Sequence, residues 1–319
     1  MLDKITITAM ISDEVCAFLV EEYSLKVFIN YDQTIVEYRC SANSNKKGFE
    51  IYIKYNKLIL KTSLHKYWEF ICNKKLRNDT LFTISEAKSA FNNLLFINRL
   101  DKNKVFITQF EIGLNLNVSY EPLSFIELAT YISNINGIEK EMFIDANYRK
   151  DRQRTTEKHK DIRKYFKMYD KGWQLQDKKN VQQKQRTNTV KILRIESCYR
   201  RYKINANEFF SDSNLNRLKY LFYEDWKSIH FLRMVTGKKG CRTSEVQNAN
   251  ILINKSPGFL LDSIKKKIKP GLLTKNHLRT VREFIRDFDK LRNKFEIVVS
   301  EQEKEYNDLL FSTFKSAIE

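Results

Sequence analysis

Residues 105–118, VFITQFEIGLNLNV, alternate apolar and polar side chains without a break from Phe110 onward. The apolar positions are Phe110, Ile112, Leu114, Leu116 and Val118, and the polar-side positions are Gln109, Glu111, Gly113, Asn115 and Asn117. Successive side chains of a β-strand point to opposite faces, so this segment is predicted to be a strand with one apolar and one polar face. Such a strand is typical of an antiparallel sheet that has helices packed behind it and an open front.

Two later segments have the same alternation and add reactive groups. The first, residues 162–176, contains a predicted strand. If this strand continues to Lys171, one of its faces carries Tyr165, Lys167, Tyr169 and Lys171. In residues 190–202, Arg194 and Glu196 share a face opposite Leu193 and Ile195. If the three strands are neighbours in one sheet, these polar groups could converge: Glu111, Tyr169 with Lys171, and Arg194 with Glu196.

A tyrosine among carboxylates and cations suits phosphodiester transfer to the tyrosine. The phenol, whose ordinary pKa is about 10, must lose its proton as it attacks. An ammonium stabilises the developing charge, an arginine can hold a phosphate through two hydrogen bonds, and two carboxylates can hold a hard divalent cation. The alternative is that Tyr169 only packs across the sheet and that Arg194 and Glu196 form a simple ion pair.

The charge of the chain indicates a polyanionic partner. The 57 Lys and Arg exceed the 39 Asp and Glu by 18, and nucleic acid is the usual partner of such an excess. Residues 149–203 hold 19 Lys and Arg against 6 Asp and Glu, although part of this run could be a solvated loop. The residues expected to contact DNA are Arg149, Lys150, Arg152, Arg154, Arg163, Lys164 and Lys167.

Helical and strand patterns divide the chain. We predict an α+β fold with a central antiparallel sheet and packed helices over residues 1–208, followed by a helical C-terminal region over residues 209–319. Thr83 and Glu86 have the spacing of a capping box, and another helix is expected to follow Pro122 through residues 123–132.

Several classes of protein are excluded or disfavoured. Neither glycine-rich phosphate-loop motif occurs, no run of eighteen apolar residues could span a bilayer, and acidic residues interrupt the first twenty positions, where a signal peptide would be apolar. The five scattered cysteines match neither a zinc motif nor a disulfide framework. We therefore expect a cytoplasmic protein.

The blocks ITQFEIGLNL, FKMYDKGWQL and KILRIES, in this order over residues 107–197, resemble those of the replication initiation proteins of filamentous phages and related elements. These are rolling-circle enzymes that nick and rejoin DNA. The resemblance implies that Tyr169 is the nucleophile and that Lys171 assists it. It also implies that Glu111 and Glu196 bind Mg²⁺ or Mn²⁺ or act as acid–base groups, and that Arg194 is a phosphate or structural contact.

The match has departures. Glu111 stands where aspartate is usual, and Gln174 stands where similar proteins often have a carboxylate. The four histidines form no His-hydrophobe-His pair, so a metal ion would depend on carboxylates.

The resulting hypothesis is an enzyme that binds a duplex origin and its exposed single strand in a bacterial host cell. It would cut with Tyr169, leaving a 5′-phosphotyrosyl link and a 3′-OH for a host polymerase, with a host helicase as a further partner. One alternative is a non-catalytic DNA- or RNA-binding protein, and another is a helical interaction module fused to a small β domain. Tyr165 is the competing nucleophile because it shares the predicted face.

Overall fold

The computed structural model describes residues 1–29, 36–133, 139–140, 142–145, 164–177, 190–255 and 257–318. In these residues the strands are β1 (Leu2–Met10), β2 (Lys26–Ile29), β3 (Val36–Cys40), β4 (Glu50–Lys54), β5 (Lys57–Ser63), β6 (Val105–Asn117), β7 (Ala129–Ser133), β8 (Glu139–Lys140), β9 (Met142–Asp145), β10 (Lys164–Asp170), β11 (Ile192–Tyr199), β12 (Ile204–Asn205), β13 (Ile229–Phe231), β14 (Met234–Gly237) and β15 (Phe295–Val298). The helices are α1 (Asp13–Glu22), α2 (Leu64–Asn73), α3 (Ile84–Ile97), α4 (Pro122–Leu128), α5 (Lys171–Asp177), α6 (Ala206–Phe209), α7 (Asp212–Lys227), α8 (Thr243–Asn254), α9 (Pro257–Ile268), α10 (Lys275–Arg286), α11 (Phe288–Leu291) and α12 (Glu301–Ile318).

One large sheet dominates the fold. Its strand order is β2-β3-β4-β5-β1-β6-β11-β10-β9, and β12 also pairs with β6. The β9–β10 pair is parallel, whereas the other pairs of this sheet that the structure describes are antiparallel. The predicted α+β class with a central antiparallel sheet is therefore confirmed.

Helix boundaries follow local capping chemistry. At α3 the Thr83 side chain accepts from the Glu86 N–H, and the Glu86 carboxylate accepts from the Thr83 N–H, so the predicted capping box is present. Pro122 opens α4 as predicted, but that helix ends at Leu128. The expected continuation was wrong, because residues 129–133, ATYIS, form strand β7 and pair with β13.

The apolar face of the large sheet packs on helices. Phe110 of β6 stacks on Tyr199 of β11 with ring centroids 4.5 Å apart. Phe166 of β10 meets Trp226 of α7 edge-on at 5.8 Å, and the Tyr306 hydroxyl of α12 donates to the Trp226 carbonyl. The alternation at residues 105–118 thus assigned this face correctly.

The C-terminal region is helical, as predicted, but the described part also contains three short strands that the sequence pattern did not indicate. Strand β13 joins β7 in a small sheet, while β14 pairs with β15. The helices α7 and α12 contribute to the main core through residues such as Phe222 and Leu310. A separate small core contains Val235, Ala249, Phe284 and Phe295. The boundary near residue 208 stays a prediction.

Candidate active site on the polar face of the sheet

The three strands that carry the predicted site are neighbours. In the order β6-β11-β10, Gly113 lies opposite Glu196, and Glu196 lies opposite Lys167. One row further, Asn115 lies opposite Arg194, and Arg194 lies opposite Tyr169. Directly opposed residues point to the same face, so the polar sides of the three strands form one surface.

Glu196 is the centre of this surface. Its Oε1 accepts hydrogen bonds from the Tyr169 hydroxyl at 2.9 Å and from Arg194 Nε at 3.1 Å. Its Oε2 accepts from Lys167 Nζ at 3.1 Å, and the same ammonium donates to Glu111 Oε1 at 2.9 Å. Glu111, Tyr169, Arg194 and Glu196 therefore belong to one connected network, with Lys167 between the two carboxylates.

Arg194 extends the network to a carboxylate that the sequence hypothesis lacked. Its Nη2 donates to Asp3 Oδ2 at 2.7 Å, and its Nη1 donates to Asn115 Oδ1 at 3.0 Å. Asp3 also accepts from the Ser63 hydroxyl and from Asn78 Nδ2. The guanidinium is thus held by three oxygen partners in a fixed orientation.

A register shift in β1 explains why Asp3 and its neighbour Lys4 both reach this face. Regular alternation would place them on opposite sides. The pairing of β1 with β6 shifts between Leu2 and Ile5, and such a bulge re-aims side chains. Lys4 Nζ lies 3.3 Å from Glu111 Oε2, so β1 supplies both an anion and a cation to the site.

Gly113 provides the space that Arg194 occupies. A Cβ at this position would lie 2.7 Å from Arg194 Nη2 and 2.8 Å from the Ile195 carbonyl oxygen. Any larger residue would therefore displace the guanidinium. The glycine on the polar face of β6 permits a close approach by this side chain.

Lys171 is positioned differently from its predicted place on the strand. β10 ends at Asp170, whose Oδ1 accepts from the Trp173 N–H, so Asp170 acts as an N-cap and Lys171 opens α5. The Lys171 ammonium is buried and donates to Gln174 Oε1 at 2.8 Å. The D-x-x-W spacing was a capping signal that could have indicated this turn.

The lysines expected to contact DNA within β10 have partners inside the protein. Lys164 pairs with Asp225 and lies over the Phe166 and Tyr199 rings, on the face that α7 covers. Lys167 bridges the two carboxylates and is not free to act as a surface contact in this state. The other DNA-contact predictions, Arg149, Lys150, Arg152, Arg154 and Arg163, lie outside the described residues.

Burial and charge set the protonation states. Burial raises the pKa of Tyr169 well above its ordinary value, and the Glu196 carboxylate adds to this effect. Burial also opposes ionisation of Glu196, but Lys167 and Arg194 outweigh it and hold the pKa of this carboxyl below its usual range. Burial, followed by the neighbouring Arg194, lowers the pKa of Lys171 to about 7. The site therefore holds a neutral phenol, an ionised acceptor and a lysine that titrates near neutrality.

The front of the sheet is less open than its composition suggests. Tyr169 is only 6% exposed. Residues 78–80 lie against the same face, where Asn115 Nδ2 donates to the Asn78 and Thr80 carbonyl oxygens. Two cavities flank the network. One, of about 390 Å³, lies beside Glu111, and its lining includes the basic residues Lys4, Lys61, Lys66 and Arg200. The other, of about 290 Å³, lies beside Asp3 and Arg194 and extends to α12.

The carboxylates also have a donor set that a divalent cation can use. Oxygens of Glu111 and Glu196 and the Cys198 sulfur lie within 4.8 Å of one another, and Mg²⁺ and Mn²⁺ prefer the oxygens. Glu111 Oε2 accepts no hydrogen bond from the described residues, although the Lys4 ammonium lies 3.3 Å from it. The two carboxylates fit such an ion provided that the Lys167 ammonium moves from its place between them.

Comparison with protein-family models, with curated proteins and with solved structures finds no match for this chain. Among the described helices, none combines the length and apolar character needed to cross a bilayer.

Proposed function

We propose that this chain is a tyrosine-dependent DNA nicking and joining enzyme that initiates rolling-circle replication in the cytoplasm of a bacterial host. The observation that carries the proposal is the 2.9 Å hydrogen bond from the Tyr169 hydroxyl to Glu196 Oε1, within a network that also contains Arg194 and Lys167. A nucleophile, a proton acceptor and two cations are the groups that phosphodiester transfer requires.

Activation of Tyr169 follows from the charges around Glu196. In the free protein, Lys167 and Arg194 keep Glu196 ionised but make it a weak base. The non-bridging oxygens of an incoming phosphodiester would attract Lys167 away from the carboxylates. Removal of one cation raises the pKa of Glu196, so the carboxylate becomes a better acceptor for the phenolic proton when substrate is bound.

The transfer conserves atoms and charge. The Tyr169 oxygen forms a bond to phosphorus while its proton passes to Glu196, and the bond between phosphorus and the 3′ oxygen breaks. The phosphate stays on the 5′ oxygen of the downstream strand as a phosphotyrosyl ester, and the upstream strand ends in a 3′-OH. We assign Lys171, which is partly protonated at neutral pH, as the donor that protonates the departing 3′ oxygen. The reverse reaction rejoins a strand without ATP.

Glu111 and Glu196 are the residues that would hold Mg²⁺ or Mn²⁺, which would supply Lewis-acid stabilisation of phosphate oxygens. The charge of the ion would make Glu196 less basic, but it would also favour ionisation of the nearby Tyr169 phenol, which offsets that effect. The basic lining of the cavity beside Glu111 supports a single-stranded substrate. Lys4, Lys61 and Lys66 approach it from one side and Arg200 from the other, where phosphates could bind.

The deciding experiment looks for a covalent protein–DNA adduct. The protein is incubated with a randomised single-stranded DNA library and Mg²⁺ or Mn²⁺, then separated on a denaturing gel, and captured sequences are re-tested singly. We expect an adduct with the wild-type protein and none with Tyr169→Phe, because that substitution removes the nucleophilic oxygen and keeps the ring. EDTA should reduce adduct formation.

Tyr165→Phe is the matched control. Tyr165 lies on the same strand and face, and its hydroxyl accepts from Arg200 Nη2 at 2.9 Å, so it should be dispensable for the adduct. An adduct that survives Tyr169→Phe and disappears in Tyr165→Phe would transfer the nucleophile to Tyr165.

A non-catalytic DNA-binding protein is the second candidate. The observation in its favour is the deep burial of Tyr169, which would also suit a purely structural hydrogen bond. DNA binding by the wild-type protein without any adduct, for both metal ions and all captured strands, would favour this function over catalysis.

A further inference from the structure

Residues 234–298 form a small unit with its own core. Strands β14 and β15 pair along Met234–Gly237 and Phe295–Val298, and the buried side chains of Ala249 and Phe284 pack between the strands and helices. The unit holds 15 Lys and Arg against 6 Asp and Glu, a net charge of +9, which equals half of the +18 of the whole chain. Nothing in the sheet-face network uses this charge.

Helices α9 and α10 are joined by a well-defined turn. Gly271, at φ 80°, donates its N–H to the Ile268 carbonyl at 2.9 Å, and the Leu272 N–H donates to the Lys267 carbonyl at 3.0 Å. This is a Schellman motif, in which glycine provides the left-handed residue that ends a helix. Thr274 then begins α10, and its N–H donates to His277 Nδ1 at 3.2 Å. A glycine-containing turn between two helices is one feature of helix-turn-helix units, in which the second helix enters the major groove.

The second helix presents a basic stripe to solvent. Four exposed cations follow the spacing i, i+4, i+7 and i+11; they are Lys275, Arg279, Arg282 and Arg286. At 3.6 residues per turn these positions lie within about 60° of arc and extend over roughly 16 Å. Val281 and Phe284 lie on another side of the helix and are buried, so the small core fixes the stripe outward.

The internal partners of the stripe are weak. Arg279 Nε lies 3.0 Å from Glu283 Oε1, but the Arg279 side chain is largely exposed and that of Glu283 about half exposed. Arg286 pairs with the adjacent Asp287. Neither Lys275 nor Arg282 forms an ion pair with a carboxylate of the described residues. Exposed pairs of this kind are easily exchanged for phosphate contacts.

We propose that residues 234–298 are a duplex-DNA-binding unit and that α10 is the helix that enters the major groove. The major groove of B-form DNA is about 12 Å wide and admits an α-helix, with phosphates along both rims for the basic stripe. The major groove of an RNA duplex is too narrow for a helix, and a membrane-surface helix would need an exposed apolar face, whereas Val281 and Phe284 are buried.

This inference goes beyond the proposed reaction and does not depend on it. A protein in which Tyr169 only packs could still bind a duplex through α10. Conversely, a nicking enzyme could reach single-stranded DNA through the sheet-face cavity alone. The two proposals can therefore fail separately.

The test replaces three cations of the stripe by glutamine in the full chain, as Lys275→Gln, Arg279→Gln and Arg282→Gln together. The probe is a duplex of about two helical turns, and fluorescence anisotropy gives its affinity as a function of salt. We expect the affinity to fall about 10–100-fold, and the slope of log K against log salt to flatten by about 2–3. Methylation of guanine N7, which lies in the major groove, should weaken wild-type binding.

The matched control removes the same charge elsewhere, as Lys26→Gln, Lys57→Gln and Lys75→Gln, three exposed lysines of the large-sheet region. The control should keep the wild-type affinity and slope. Equal losses in both variants, or no loss in the stripe variant, would overturn the proposal. So would stronger binding of wild-type protein to duplex RNA or to phosphatidylserine vesicles than to duplex DNA.

The Tyr169→Phe variant separates the two proposals. It should lose the covalent adduct and keep duplex affinity, whereas the stripe variant should keep the adduct on a short single strand.

Discussion

Charged residues in the sheet-face network and on α10 are arranged in opposite ways. In the network, three carboxylates face three cations; the members are Asp3, Lys4, Glu111, Lys167, Arg194 and Glu196. Asp3, Arg194 and Glu196 are buried, Glu111 and Lys167 are partly buried, and only Lys4 is exposed. On α10 the cations are exposed and outnumber their partners. Buried charges must be balanced within the protein, whereas an exposed excess can be balanced by a partner outside it. The first arrangement suits chemistry on a bound group and the second suits attraction of a polyanion.

The largest effect on stability is expected from removing one buried cation of the sheet-face network. Arg194→Met removes the cation that contacts Asp3 and Glu196 and leaves two buried carboxylates without it. We expect a loss of about 3–5 kcal/mol in the free energy of unfolding, measured by urea titration at neutral pH. The comparison variant Arg282→Met removes an exposed cation of α10 and should change stability by less than about 0.5 kcal/mol.

A double variant sharpens this result. Asp3→Asn combined with Arg194→Met removes one of the two carboxylates that Arg194→Met leaves without their cation. The double variant should therefore lose less free energy of unfolding than the sum of the two single losses. Strictly additive losses, or equal effects of Arg194→Met and Arg282→Met, would contradict the distinction between balanced and unbalanced charge.

An intermediate effect is expected at Lys171. Its pKa is about 7 in the folded protein, whereas the ordinary value of a lysine is 10.5. Between these values the unfolded chain binds the proton and the folded chain does not, so this group makes stability rise with pH. The contribution has a slope of at most about 1.4 kcal/mol per pH unit, begins near pH 7 and ends near pH 10.5.

Lys171→Met should remove that slope. Unfolding in urea between pH 6.5 and pH 9, for the variant and the wild type, isolates the contribution because other titrating groups are common to both. The free energy of unfolding of the variant, relative to that of the wild type, should be highest near pH 6.5, where the wild type carries the buried Lys171 ammonium. A difference that does not change with pH would mean that Lys171 keeps its ordinary pKa.

The sequence predicted the faces of the central strands well, and the reason is physical. A period of two is a property of each strand alone, so Glu111, Glu196 and Tyr169 could each be assigned to the polar face of its own strand before the pairing was known. Two features of the site could not be predicted from the sequence. The bulge in β1 depends on pairing with β6 and brings Asp3 and Lys4 to the same face. The contact of Lys167 with two carboxylates depends on three strands being adjacent.

The smallest effect is expected from neutralising the basic stripe of α10. Replacing Lys275, Arg279 and Arg282 by glutamine relieves repulsion between like charges three and four residues apart, so the free energy of unfolding should stay within about 0.5 kcal/mol of the wild type and could rise slightly. Thermal unfolding monitored by circular dichroism at low and high NaCl checks this. A large destabilisation would show that the stripe has internal partners and weaken the contrast.

The contact between Asp3 and Arg194 joins residues 191 positions apart in the chain. At synthesis rates of 5–20 residues per second, strand β1 therefore leaves the ribosome roughly 10–40 s before β11 can pair with the strand beside it. During that interval Tyr169 is made, but the guanidinium that orients Glu196 does not yet exist. Incomplete chains consequently lack the assembled centre, and any activity that cuts DNA can start only after β11 has been made and folded into the sheet.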